Sequence, residues 1–120
     1  MLDRQGFLQI LKIMLNYLDR AYQALGDRTR RGLVERLVQG PATVSALAKG
    51  QPMSLPAVML HLKVLEEAGL VKSQKAGRVR TCEMVSQILT EAERWIGERR
   101  QMWEKNLDAL GKYLDQGEEK

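Results

Sequence analysis

The chain has 120 residues, 44% hydrophobic and 28% charged, with a net charge of +4. That length suits one domain with a modest core, and no run of about eighteen apolar residues offers a membrane span. The single cysteine, Cys82, excludes an intramolecular disulfide and fits a reducing compartment, so a cytoplasmic protein is expected.

Residues 7–15, FLQILKIML, are apolar enough for a signal-peptide core. Gln9 and Lys12 interrupt them, however, and no small-residue cleavage site follows before Tyr17. The stretch reads better as the start of a first helix, about Phe7 to Leu25, although Met14 offers an alternative first residue. Leu11, Leu15, Leu18, Tyr22 and Leu25 recur along it at heptad-like spacing. Gly26 breaks this helix, and Asp27 caps a second, about Arg28 to Gln39, with Leu33, Val34 and Leu37 inward. Gly32 inside it costs about 1 kcal/mol against alanine, which points to a close approach of two helices there. After a Gly40-Pro41 turn, Thr43 caps a helix of barely two turns with Val44, Leu47 and Ala48 on one side, ended by Gly50.

Ser54 caps the next helix, and Pro56 falls in its first turn, where a missing N–H costs little. Val58, Leu62 and Leu65 form its apolar stripe, and Gly69 ends it. Two β-prone runs between Val71 and Met84 then flank Lys75-Ala76-Gly77-Arg78, a hairpin tip. Ser86 caps a final helix reaching about Gln116. Its seam is Leu89, Ala92, Ile96, Trp103, Leu107, Leu110 and Leu114, widened by Ile88, Trp95, Met102 and Tyr113. A helix so long and so one-sided needs a partner, and the first helix carries a matching stripe. The expected homodimer interface is therefore Leu11, Leu15, Leu18 and Tyr22 with Leu89, Ala92, Trp95, Ile96, Trp103, Leu107, Leu110 and Leu114.

A short helix, a turn and a longer capped helix make a helix-turn-helix, and a basic hairpin after it makes a winged helix. The expected fold is mainly α with a small β-hairpin: four helices, two strands, one helix. It is read as a single domain over residues 1–120, with the helix-turn-helix at about 43–69 and the wing at about 71–84. The helices expected to dimerise lie at about 7–25 and 86–116. Residues 24–82 hold ten Lys or Arg against four Asp or Glu, whereas residues 83–120 hold six against nine. The basic excess sits in the helix-turn-helix and wing, which suggests a polyanion as partner.

ALGDRTRRGLVERLVQGPATVSALA, MSLPAVMLHLKVLEEAGLV and KAGRVRTCEM together resemble the ArsR-type family of small dimeric winged-helix repressors, from about Leu18 to Leu114. The most specific parts are Asp27 with Thr29-Arg30-Arg31, the Ser54-Leu55-Pro56-Ala57-Val58 helix start, His61-Leu62-Lys63, Leu65-Glu66 and Ala68-Gly69-Leu70-Val71. Arg28 and Gly32 depart from the family, which usually has proline and alanine there. The resemblance implies a sequence-specific regulator of transcription, a homodimer repressing from a near-palindromic operator in double-stranded DNA.

On that reading the recognition helix turns Ser54, Leu55, Pro56, Met59, Leu60, His61 and Lys63 toward DNA. Relatives more often have a serine and a long polar residue where Met59 and Leu60 stand. These two can meet thymine methyl groups, or else mark a protein-binding face, which would make the chain a dimeric interaction module. His61, the only histidine, is placed by the resemblance near the DNA, where its charge would make affinity pH-dependent; otherwise it packs between helices. Lys75, Arg78 and Arg80 on the wing suit phosphates or the minor groove. Arg30 reaches a phosphate or pairs with a carboxylate.

Thiolate sensors in the family place a Cys-x-Cys pair on the third helix, and others use histidines on the last. Neither is present here, so no metal or other cofactor is expected. Cys82 reads as a core strand residue, with redox sensing the alternative. Trp95 and Trp103 lie eight apart on one face, which suits a dimer seam and leaves room for a small apolar effector between the first and last helices. With no nucleophile–base pair and no glycine-rich phosphate loop, an enzyme is not expected.

Overall fold

The computed structural model describes residues 3–118. In chain order they form α1 (Arg4–Leu25), α2 (Arg28–Leu37), β1 (Ala42–Thr43), α3 (Val44–Lys49), α4 (Leu55–Glu67), β2 (Val71–Ala76), β3 (Val79–Met84) and α5 (Ser86–Glu118). This is a winged helix-turn-helix.

Side-chain caps set four of the helix starts. Each gives one orphan first-turn amide an acceptor. Asp3 accepts the N–H of Gly6 at 2.7 Å, Asp27 that of Arg30 at 3.0 Å, Thr43 that of Ala46 at 3.1 Å and Ser54 that of Ala57 at 3.4 Å. The Asp3 cap starts α1 at Arg4 rather than near Phe7. Ser86, expected as a cap, is instead the first residue of α5, and its carbonyl accepts the hydroxyl of Thr90 at 3.0 Å.

α4 stops in two hydrogen bonds: the N–H of Gly69 donates to Glu66 O at 2.9 Å and that of Leu70 to Leu65 O at 3.0 Å. This pair defines a Schellman end, which needs a left-handed residue. Gly69 has φ +77°, and a Cβ there would stand 3.1 Å from Cγ1 of Ile88. The chain leaves directly into β2.

The hairpin pairs Val71 with Met84, Ser73 with Cys82 and Lys75 with Arg80. Gly77, at φ +63°, and Arg78 form its two-residue turn. A glycine at the first position followed by a residue with negative φ is the type II′ pattern, whose twist matches the strands. A third strand was not expected. β1 pairs with the far side of β3, Ala42 opposite Cys82, so the sheet order is β1-β3-β2. Two residues are too short to show the alternation that reveals a strand.

The core gathers Leu33, Val34 and Leu37 of α2, Val44 and Leu47 of α3, and Val58, Leu62 and Leu65 of α4. Ala21 and Ala24 of α1, with Leu70, Val71 and Cys82, close it. Gly32 is not at a helix crossing: a Cβ there would meet nothing within 4 Å. The close approach expected from its cost is absent.

The molecule measures 75 × 44 × 21 Å with a radius of gyration of 20.5 Å. A compact chain of this length would have about 14 Å. The excess comes from α5, whose 33 residues span about 50 Å, and from the first half of α1.

Candidate nucleic-acid interface

α4 buries Val58, Leu62 and Leu65 and turns Leu55, Pro56, Met59, Leu60 and Lys63 outward. Met59 is 48% and Leu60 66% exposed. The orientation follows from the apolar stripe alone, since residues three and four apart share a face. Ser54 and the first-turn amides of α4 lie at the exposed end of the helix.

The wing stands beside this face. β2 and β3 carry Ser73, Cys82, Lys75 and Arg80 on one side of the hairpin, because residues opposite each other across the ladder share a face. Lys75 and Arg80 are thus like charges placed side by side, an unfavourable pairing that a polyanion would relieve. A groove of about 580 Å³ runs between α4 and the wing, with Met59, Leu60, Lys63, Glu66 and Arg80 among its walls. On the other face Lys72 pairs with Glu83 at 3.0 Å. Among the described residues no carboxylate pairs with Lys63, Lys75 or Arg78.

Arg80 is not a tip residue. Its Nη1 donates to Ser73 Oγ at 2.8 Å, and the Ser73 hydroxyl donates to Glu66 Oε1. This chain of bonds ties the wing to α4 and fixes the width of the groove. Cys82 lies behind it, buried. Burial pushes its thiol pKa up, the nearby Glu66 carboxylate adds to this, and Arg80 opposes it. A protonated, buried thiol is a poor redox sensor.

Arg30, expected to reach a phosphate or pair with a carboxylate, is engaged by backbone carbonyls of α1. Its Nε donates to Ala24 O at 2.7 Å and its Nη2 to Gln23 O at 3.1 Å, while its Nη1 lies 3.3 Å from Nδ1 of His61. Arg31 donates from Nη1 to Leu25 O at 2.8 Å. The two arginines therefore satisfy the last carbonyls of α1, where a cation also suits the helix dipole. His61 is half-buried between α4 and the start of α2, 4.0 Å from Asp27 Oδ2. It is a packing histidine, turned from the outward face. Asp27 is held below the usual carboxylate range, first by the N–H of Arg30. Desolvation opposes this, and the charges of Arg30 and His61 assist it. Sequence reasoning missed this junction because its acceptors are backbone carbonyls of another helix.

The residues expected at the dimer seam divide into two sets. Tyr22 donates its hydroxyl to Ala92 O at 3.0 Å, and its ring lies 6.0 Å from that of Trp95. Ala92 is 4% exposed, so it is already covered by α1 of its own subunit. Leu18, Tyr22 and Leu89 are half-buried in the same way. Leu15, Leu18, Tyr22, Trp95 and Ile96 line a groove of about 500 Å³ between α1 and α5. Leu11, Leu15, Trp95, Ile96, Trp103, Leu107, Leu110 and Leu114 are exposed. Arg99 lies over the Trp95 ring, 4.6 Å from its centroid. Among the described residues no three His, Cys, Asp or Glu cluster as a metal site would require, and no helix is long and apolar enough to cross a membrane.

Comparisons with known proteins agree with this geometry. The Helix-turn-helix domain family matches residues 25–74. The chain is 40% identical over 101 residues to the HTH-type transcriptional regulator Rv2034 of Mycobacterium tuberculosis, covering 81% of this chain and 88% of that one. It is 23% identical over 79 residues to the transcriptional repressor SdpR of Bacillus subtilis, covering 66% of this chain and 88% of the repressor. The crystal structure of an ArsR family transcriptional regulator, RHA00566, is 44% identical and superposes with a TM-score of 0.69, covering 78% of this chain and 93% of the other.

Proposed function

The chain belongs to the ArsR family of helix-turn-helix transcriptional regulators, and on that premise we propose that it acts as a homodimeric repressor that binds double-stranded DNA. One observation carries the reading: a capped recognition helix stands clear of its own core beside a wing whose Lys75, Arg78 and Arg80 form no ion pair with a carboxylate among the described residues. Residues 1–120 act as one domain in this reading. Ser54, Leu55, Pro56, Met59, Leu60 and Lys63 face the major groove, and Lys75, Arg78 and Arg80 the flanking phosphates. The free amides and dipole at the α4 N-terminus favour a phosphate beside Ser54.

Two subunits join through the exposed seams of α1 and α5, setting their recognition helices about 34–36 Å apart, one turn of duplex. The name of the Bacillus relative supports repression, by occlusion of an operator. Regulation does not run through a metal, since α3 holds no cysteine and α5 no histidine. An apolar effector in the groove at Leu15, Tyr22 and Trp95 would alter the angle between subunits and with it the helix spacing. Neither His61 nor Cys82 is set up for catalysis. Each is held in packing, so no enzymatic step is assigned.

The exposure of Met59 and Leu60 favours one rival, a protein-interaction module. Leu60→Glu separates the two. It is expected to abolish binding to duplex DNA in a gel shift while leaving the dimer intact, because a carboxylate facing phosphates is repelled. Unchanged DNA binding would mean that α4 does not enter the groove.

A further inference from the structure

The first two turns of α4 show solvent almost no hydrogen-bonding side chain. Leu55, Pro56, Met59 and Leu60 are exposed and apolar, Val58 and Leu62 lie in the core, and His61 is held beside Arg30. Ser54 Oγ is engaged by the N–H of Ala57. The first exposed side-chain donor after it is Lys63, in the third turn.

A recognition helix meets base edges chiefly with its N-terminal residues. Bidentate reading of adenine takes Asn or Gln, and of guanine Arg or Lys. No such residue precedes Lys63 on the exposed face. What a major groove does offer an aliphatic side chain is the C5-methyl group of thymine. The amino groups of cytosine or adenine set against Leu60 would lose water and gain no acceptor. Lys63, Lys75 and Arg78, which form no ion pair among the described residues, supply the phosphate attraction that would press these side chains against the bases.

We propose that Met59 and Leu60 read the methyl groups of thymines in the major groove, so that each half-site carries thymine where the N-terminal turns of α4 enter. This rests on the DNA-binding reading above and adds what the site recognises.

Duplexes selected from a random pool by the full chain provide the probe. Their affinities are measured beside copies in which deoxyuridine, which lacks only the methyl group, replaces every thymidine. The wild type and the double variant Met59→Ala, Leu60→Ala are compared on both. Both side chains are exposed, so truncation leaves the core untouched. The wild type is expected to bind the uridine copy about fourfold more weakly for each methyl contacted, and so about fifteenfold more weakly for one methyl in each of two half-sites. The double variant is expected to bind both copies alike. Equal wild-type affinity for the two copies, or discrimination retained by the double variant, overturns the inference and leaves DNA binding standing. No salt-sensitive binding to any duplex overturns both.

Discussion

Leu65 and Leu107 are both leucines on the apolar stripes of amphipathic helices, yet α4 buries the first completely and α5 leaves the second 47% exposed. The same contrast runs through the molecule. In the head, residues 27–85, the stripes of α2, α3 and α4 close on one another and on the sheet. In the first half of α1 and the last two-thirds of α5, Phe7, Leu11, Leu15, Trp103, Leu110 and Tyr113 all remain exposed. Such stripes are maintained only where something covers them, because apolar area left in water gains none of the stabilisation that burial provides. With Ala21 and Ala24 of α1 closing its core, the head is thus a finished unit. In the proposed dimer these two long helices form one subunit's half of the interface.

Core truncation should break this contrast most strongly. Leu65→Ala removes a side chain with no exposed surface and is expected to cost about 2–5 kcal/mol in urea denaturation. Leu107→Ala in the same assay, at concentrations where the subunit is alone, should stay within about 0.5 kcal/mol. Similar costs for the two would mean that α5 is covered within its own subunit. Next in size, Leu107→Glu puts a charge in the seam. It should raise the dimer dissociation constant at least about tenfold, about 1.4 kcal/mol, by sedimentation, with helix content and head folding kept. A dimer of unchanged strength would move the interface off α5.

Two smaller effects sharpen the description of the head. Gly32→Ala should stabilise it by about 1 kcal/mol, since a Cβ there meets nothing; a lower melting temperature would reveal a contact made only in the assembly. The Asp27 carboxyl titrates below its usual range in the folded chain. Its contribution is therefore present above the unfolded pKa of about 3.9 and is lost as pH falls through the lower folded value. Wild type should exceed Asp27→Asn in stability at neutral pH, and the gap should close in acid. A gap independent of pH would show that the charge of Asp27 adds nothing beyond its cap.

The caps at Asp27, Thr43 and Ser54, the inward stripe of α4 and the hairpin turn at Gly77 were legible in the sequence. Each is a local device, written within four residues of where it acts. β1 was illegible because two residues carry no period. For Arg30 and His61 the sequence leaves two readings open, because their partners are carbonyls and a carboxylate brought near by the crossing of α1, α2 and α4. Ala92 was placed at the seam by its spacing. Only the packing of Tyr22 reveals that its own subunit already covers it.

Sedimentation velocity with a selected near-palindromic duplex, at low and at high salt, tests most directly whether paired subunits present two recognition helices to DNA. The expected result is a complex of two chains per duplex that dissociates steeply as salt rises. A single chain per duplex, or a complex indifferent to salt, would contradict it.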